Sequence, residues 1–363
     1  MSIRPRSSLL DPSLQRPSAL NSQPRDPSLI WLDKNENLDP ELLDVTVAAL
    51  YAVSREALAC YPEAGELYRK LGAWAGVTPD SLLLTPGSDG AIRLIFEAFV
   101  ESGDAVFITD PTFAMYPVYA KMFGAQVTAL QYQPSEQGPW LDYEVIAQQV
   151  YEQKPKLLCL PNPDSPTGVV ASLGAMAKLL AACESAGTVF LVDEAYHPFH
   201  PESQILHTQT SRNLIVVRTF AKAWGAAGLR VGYAAAHPET IGLLHKMRPM
   251  YEVSTLATDF MVHMLDYVDA MQASVDRTLA GKVWFTSEMR NLGFDVLEAA
   301  GNFLHVRFGA DEVAVHQALE GRVLYRKGFD LPALAGYSRF SMAPQEILAP
   351  VVDLIRQAVK GRA

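Results

Sequence analysis

The densest chemical signal lies in residues 218–233, Arg-Thr-Phe-Ala-Lys-Ala-Trp-Gly-Ala-Ala-Gly-Leu-Arg-Val-Gly-Tyr. Lys222 stands there among small residues, after the apolar run Leu214-Ile215-Val216-Val217 and eight residues before Arg230. Small neighbours let a bulky ligand approach the backbone. A lone lysine in such a place is a nucleophilic amine with little competition, able to form a Schiff base with a carbonyl group. Lys222 therefore reads as the anchor of pyridoxal phosphate, with Arg230 on the phosphate.

Other polar motifs follow other apolar runs. Gly87-Ser88-Asp89 opens a helical pattern, and a helix N-terminus with free N–H groups suits a phosphate. Ser88 adds a hydroxyl, and Asp89 can still offer its backbone N–H. The alternative is a plain turn with an N-cap. Phe113, in Asp110-Pro111-Thr112-Phe113, could stack on a planar ring or simply fill core. Asn162-Pro163-Asp164-Ser165-Pro166-Thr167-Gly168 has two X-Pro steps that force an extended, turning backbone; it could also be no more than a proline-rich loop. Asp193-Glu194-Ala195-Tyr196 offers a carboxylate for a protonated pyridine nitrogen and a phenol for a ring oxygen, or else a carboxylate for Mg²⁺. His197, His200 and His207 lack cysteine or carboxylate partners at metal-like spacing and read as surface or structural. No nucleotide-type phosphate loop occurs.

These motifs need a scaffold that brings them together. Short apolar runs at 82–85, 105–109, 126–130, 156–160, 188–192, 214–217 and 231–235 read as strands, and a buried helix is expected over Ala91–Val100. Continuous apolar strands with helical crossovers imply α/β architecture: a mostly parallel seven-stranded sheet sandwiched by helices. Ligands collect at the carboxyl ends of such strands, which is where the motifs lie. Asp39 and Pro40 start a helix as N-cap and first helical residue. Residues 254–292 read as two helices. Short strands at 294–297, 303–308, 323–325 and 338–342, with helices near 311–320 and 344–360, form a smaller α+β domain. The expected division is an arm over 1–28, mobile or lying on a partner subunit, a large domain over 45–260, and a small domain from 29–44 plus 261–363.

Composition excludes several classes. The 363 residues suffice for one large and one smaller domain. A net charge of −10 opposes nucleic-acid binding and a membrane-surface role. Cys60, Cys159 and Cys183 show no metal or disulfide pattern, and the latter two read as core. No apolar run approaches the ~20 residues of a membrane helix. No signal peptide is evident, so a soluble cytoplasmic protein is expected.

Each motif is weak alone, but their order is specific: phosphate turn, aromatic, Pro/Asn loop, Asp-x-x-Tyr, then Thr-x-x-Lys with Arg eight residues on. This set resembles the fold-type I pyridoxal-phosphate enzymes of the aspartate aminotransferase superfamily over about residues 29–360. It is most similar to the histidinol-phosphate aminotransferase branch, through Asn35-Glu36-Asn37, Tyr61-Pro62-Glu63-Ala64-Gly65, Gly87-Ser88-Asp89 and Asp193-Glu194-Ala195-Tyr196. The resemblance implies that Lys222 forms the internal aldimine, Asp193 pairs with the pyridine nitrogen and Tyr196 with the ring oxygen. It implies that Phe113 stacks on the ring and that Ser88, Asp89, Thr219 and Arg230 hold the phosphate. It implies a homodimer with shared active sites, in which Tyr61 reaches the neighbouring cofactor's phosphate. Arg339 matches the arginine that clamps the substrate carboxylate, Arg326 one that approaches an anionic tail, and Asn35 belongs with them on the substrate side.

The departures cluster around the substrate and the ring oxygen. Ser165 stands where the superfamily has a ring-contacting asparagine, so Asn162 or water is the expected substitute. Ala221 replaces a serine, and Gly90 a glutamate. Leu38-Asp39-Pro40 removes a tyrosine often used for substrate. The implied reaction moves an amino group between an amino acid, or an amine like histidinol phosphate, and a 2-oxo acid. Lys222 carries the proton between Cα and the cofactor, and Arg339 orients the Cα–H bond. The same site could serve a decarboxylase of the threonine-phosphate decarboxylase type. A ligand-sensing domain is a further reading, but residues 1–28 are too short and proline-rich for a helix-turn-helix.

Overall fold

The computed structural model describes residues 4–15, 24–329 and 331–359. The chain runs β1 (Ile30–Trp31), α1 (Pro40–Ala52), α2 (Gly65–Ala75), β2 (Leu82–Thr85), α3 (Gly87–Phe99), β3 (Ala105–Asp110), α4 (Met115–Phe123) and β4 (Gln126–Gln131). It continues through α5 (Tyr143–Gln153), β5 (Leu157–Pro161), α6 (Leu173–Ala186), β6 (Val189–Asp193), β7 (Leu214–Thr219) and β8 (Gly232–Ala236). Then come α7 (Pro238–His245), α8 (Thr255–Met264) and the long α9 (Val268–Asn291). The C-terminal part is β9 (Asp295–Glu298), β10 (Phe303–Arg307), α10 (Glu312–Leu319), β11 (Val323–Leu324), β12 (Ser338–Ser341) and α11 (Gln345–Val359).

The large sheet has seven strands in the order β2-β8-β7-β6-β5-β3-β4. Strand β8 is antiparallel to β2 and β7, and the remaining pairs are parallel. Its inner strands are mostly apolar because both faces are covered, whereas the edge strand β4 is largely exposed. Alternate residues divide between two cores. Phe190, Val192, Leu214 and Val216 join one that reaches α2, α5, α6 and α8. Leu191, Ile215 and Val217 join another with α3, α4 and α7.

A third core lies around the antiparallel sheet β12-β10-β9, between α9, α10 and α11. Leu32 is buried in it, because β1 pairs in parallel with β11. The segment after β1 is thereby drawn toward β12, where Ser341 N donates to the Leu32 carbonyl at 2.9 Å. Asp39 caps α1 by accepting from Glu41 N at 3.1 Å, with Pro40 in the first turn.

One expectation changes. Helix α3 begins at Gly87, four residues before the expected Ala91, so Ser88 and Asp89 lie in its first turn. Gly90 makes this possible: a Cβ there would lie 2.8 Å from Pro86 Cδ. Within the chain, the described part of the N-terminal arm bonds to α4. Arg6 and Ser8 both donate to the Met122 carbonyl (3.0 and 2.9 Å), and Lys121 donates to Ser13 Oγ at 2.7 Å. The physical reason is that carbonyls at the end of a helix such as α4 lack intrahelical donors. Residues 1–3 and 16–23 of the expected arm lie outside the described residues.

Candidate active site

A cavity of about 560 Å³ opens at the carboxyl ends of the large-sheet strands, closed on one side by residues near β12. Ser88 and Asp89 reach it from α3, Phe113 from the loop after β3, and Ser165 from the loop after β5. Asp193 ends β6, Tyr196 follows it, Thr219 ends β7, and Lys222 and Arg230 occupy the β7–β8 connection. Asn35, Arg326 and Arg339 complete the set. Twelve of the fourteen expected residues thus line one cavity; Asn162 and Tyr61 do not.

The end of the cavity by α3 is built for an anion. Arg230 has a left-handed backbone, φ 55°, and its guanidinium lies where a Gly87 side chain would be: a Cβ there would meet Nη2 at 2.8 Å. Gly232 lets β8 close on the start of α3, since its Cβ would fall 2.5 Å from Ser88 N. A helix N-terminus and a guanidinium therefore converge on one spot. Asp89 does not oppose them directly, because its carboxylate accepts from the Tyr119 hydroxyl at 2.9 Å. Thr219 Oγ1 accepts from Ala221 N at 3.1 Å, which fixes the turn leading to Lys222.

In the middle of the cavity stand Asp193, Lys222 and Tyr196. Asp193 accepts from the Tyr116 hydroxyl (3.2 Å) and from Ala195 N (3.0 Å). Burial without a cationic partner pushes its carboxyl up to about 7. The next residue, Glu194, points away from the cavity into a buried ion pair with Arg218 at 2.8 Å. Lys222 Nζ donates to the Lys34 carbonyl at 2.7 Å. Burial, and then the Arg339 guanidinium, pull its amine down to about 8. Tyr196 Oη accepts from Asn35 Nδ2 at 2.8 Å and hydrogen-bonds the Ser165 hydroxyl.

At the opposite wall, Arg326 and Arg339 exchange backbone hydrogen bonds (3.0 and 2.9 Å) and bring two guanidinium side chains to the same cavity. Arg339 Nη2 donates to the Asp33 carbonyl at 3.0 Å, while its Nε is buried without a partner. Phe329 and Leu331 lie beside them. Phe113 is 38 % exposed and meets Tyr116 edge-on.

The residues present fit pyridoxal phosphate. The α3–Arg230 cup matches a phosphate, the buried lone carboxyl of Asp193 matches a protonated ring nitrogen, and the Lys222 amine matches an aldehyde. Asn162, an expected substitute for the missing asparagine, does not line the cavity, and its Oδ1 closes the loop by accepting from Ala171 N at 2.8 Å. Ser165 itself reaches the Tyr196 phenol.

Sequence reasoning missed the segment Asp33–Lys34, which acts through carbonyl groups and leaves no side-chain signature. It also missed Tyr116 behind Asp193. His305 was missed as well: it is paired in register with Arg339, and burial followed by that guanidinium holds it down to about 3, so it is neutral. Among the described residues no cluster of His, Cys, Asp and Glu could hold a metal ion.

Comparison with known proteins agrees with this geometry. Residues 27–353 match the family model of aminotransferase class I and II. The histidinol-phosphate aminotransferase of Roseiflexus castenholzii is 32% identical over 342 residues, 91% of this chain and 89% of the relative. That of Citrifermentans bemidjiense is 30% identical, covering 92% of this chain and 93% of the relative. The solved structure of histidinol-phosphate aminotransferase from Sinorhizobium meliloti in complex with pyridoxal-5'-phosphate superimposes with a TM-score of 0.78. At 21% identity, covering 92% of this chain and 91% of the other, it supports the fold. These names give no support to the decarboxylase alternative. The chain belongs to the class I and II aminotransferases, the pyridoxal-phosphate-dependent family, in its histidinol-phosphate aminotransferase branch.

Proposed function

We propose that this aminotransferase takes its amino group from histidinol phosphate, or from an amino donor that likewise carries an anionic group, and delivers it to a 2-oxo acid, with Lys222 as the cofactor-binding and proton-carrying amine. The observation that carries the substrate reading is the pair Arg326 and Arg339, which face one cavity with Lys222. Two guanidinium groups on one wall suit a ligand with an anion on its tail. The relatives' names point the same way.

When bound, pyridoxal phosphate supplies an electron sink for the charge left at the substrate Cα. The α3–Arg230 cup would hold its phosphate, Asp193 its ring nitrogen, and Tyr196 its ring oxygen, with Phe113 against the ring. Arg339 binds the donor's anion and so fixes which bond at Cα faces the amine. Lys222 Nζ then takes the Cα proton as a base and, as an acid, would deliver it to the cofactor's C4′. An amine held to about 8 is suited to both duties near neutral pH. Phe329 and Leu331 add apolar surface to that end of the cavity.

A screen of amino donors against 2-oxo acceptors tests the substrate reading. Histidinol phosphate or another anionic donor should give the highest kcat/KM. Equal kcat/KM for donors with and without the anionic tail would refute the role given to Arg326.

A second copy of the chain belongs to the same proposal. Tyr61 stacks on Tyr251 with centroids 4.3 Å apart, yet stays 73% exposed, and Leu58 and Met250 beside them are exposed as well. Such a face suits a partner. Sedimentation should give twice the 39.8 kDa chain mass; the mass of one chain would rule the dimer out. Among the described residues no helix is long and apolar enough to cross a membrane. The cytoplasm is the proposed location, and recovery in the membrane or extracellular fraction would contradict it.

A further inference from the structure

Segment 33–36 holds three of the cavity's groups in succession. The Asp33 carbonyl accepts from Arg339 at 3.0 Å, the Lys34 carbonyl from Lys222 at 2.7 Å, and Asn35 Nδ2 donates to Tyr196 at 2.8 Å. Asn35 adopts a left-handed backbone, φ 55°, a region asparagine tolerates better than most residues. On the inner side it is tied to Ser341, which accepts from its backbone N at 2.7 Å and donates to Oδ1 at 3.1 Å.

On the outer side the segment is gripped by Arg25. One guanidinium nitrogen donates to Asp33 Oδ1 and another to Glu36 Oε2, both at 2.6 Å. The fork therefore spans the two ends of the segment. The guanidinium lies over Trp31 at 5.1 Å, and Trp31 Nε1 donates to the Asp26 carbonyl at 2.9 Å, so residues 25–31 form one brace. The three charged side chains are 21, 21 and 27% exposed, which places the ion pairs partly out of solvent. A planar guanidinium shared by two carboxylates holds its geometry better than a single flexible surface pair.

We propose that Arg25 is a positioning residue of this enzyme: by bridging Asp33 and Glu36 it fixes segment 33–36, and through the Asp33 and Lys34 carbonyls it sets where Arg339 and Lys222 sit in the cavity. Arg25 does not line the cavity itself. The inference rests on the roles given above to Lys222 and Arg339. Without Arg25, two uncompensated carboxylates would stand three residues apart beside the substrate-binding arginine. They would repel each other, loosen the segment, and compete with the substrate's anion for Arg339.

The test uses the full-length holoenzyme and the variants Arg25→Ala and Arg25→Lys. Kinetics are read as KM against kcat. In cofactor-stripped protein, the rate at which an amine-acylating reagent modifies Lys222 is read by peptide mapping. Arg25→Ala should raise KM for the amino donor roughly tenfold while kcat changes less than about threefold. The Lys222 labelling rate should change by about twofold or more, because the Lys34 carbonyl no longer holds the amine in one place. Arg25→Lys should recover part of the KM, since it keeps the charge and loses the fork. Adding Asp33→Asn to Arg25→Ala should cost less than the two single changes summed.

An unchanged KM with unchanged labelling would overturn the proposal. So would parallel losses of kcat, labelling and thermal midpoint that Arg25→Lys leaves unrelieved, the mark of a purely structural residue. Labelling reads the Lys222 amine without cofactor or turnover. It can therefore support Arg25 even if Lys222 proved not to anchor the cofactor, and the two readings fail separately.

Discussion

Tyr116 donates its hydroxyl to Asp193 at 3.2 Å, from the far side of the carboxyl group that ends β6. Ala195 N adds a second hydrogen bond at 3.0 Å. Asp193 is thus held in place by neutral donors while its charge is left for something in the cavity to answer. Burial outweighs both hydrogen bonds, and the carboxyl sits at about 7 until a cation arrives.

That arrangement predicts how the cofactor-free protein responds to pH. A carboxyl raised from 3.8 to about 7 binds its proton more tightly in the folded state. Its stabilisation is full below about 4 and is progressively lost as pH rises to 7, by about 1.4 kcal/mol for each pH unit crossed. Asp193→Asn removes this loss. Its thermal midpoint without cofactor should exceed that of the unmodified protein at pH 7.5, and the gap should narrow at pH 5 and close near pH 4. Asp164, also raised to about 7 by burial, keeps some of the same slope in the variant. A midpoint gap that is constant with pH would contradict the assignment.

Arg339 should control substrate binding. Its Nε is buried without a partner and its Nη2 is anchored to the Asp33 carbonyl, so the guanidinium is already aimed. Arg339→Ala should lower kcat/KM for amino donors by about a hundredfold or more, the loss of a charge-assisted bidentate contact. Arg339→Lys should recover little, because a single ammonium cannot reproduce the fork. Steady-state kinetics with one donor decide this, and an unchanged kcat/KM would remove Arg339 from the site.

Ser165 should tune the cofactor's ring oxygen through Tyr196. Its hydroxyl reaches the Tyr196 phenol, and its side chain lines the cavity. Ser165→Asn would add a donor of longer reach at the same wall. A donor to the ring oxygen favours its anionic form, so the pH midpoint of the holoenzyme's visible absorbance should fall. A spectrophotometric titration that gives the same midpoint in both proteins would show that residue 165 does not act on the ring oxygen.

What the sequence reveals follows from where its information is stored. Lys222, Asp193 and Arg230 stand out because a charged side chain after an apolar strand is conspicuous, and the sheet carries all such ends to one edge. Sequence alone starts the buried helix at Ala91, four residues late, because the close approach of Gly90 to Pro86 cannot be seen in it. Asn162 has the side chain expected near the ring, but the loop spends that side chain on the Ala171 amide. Asp33 and Lys34 are silent because they act through backbone carbonyls, which every residue has. Arg25 is hidden for a related reason: its two carboxylate partners are close in sequence, yet nothing in their spacing says that they share one guanidinium.

Lys222 as the amine that holds the cofactor is tested most directly by borohydride reduction of the purified holoenzyme, followed by proteolysis and mass mapping. The reduced pyridoxyl group should be found on Lys222 alone. The Lys222→Ala protein should carry no covalent adduct, although it still binds pyridoxal phosphate through the α3–Arg230 cup. A reduced adduct on another lysine, or one that persists in Lys222→Ala, would contradict the role given to Lys222.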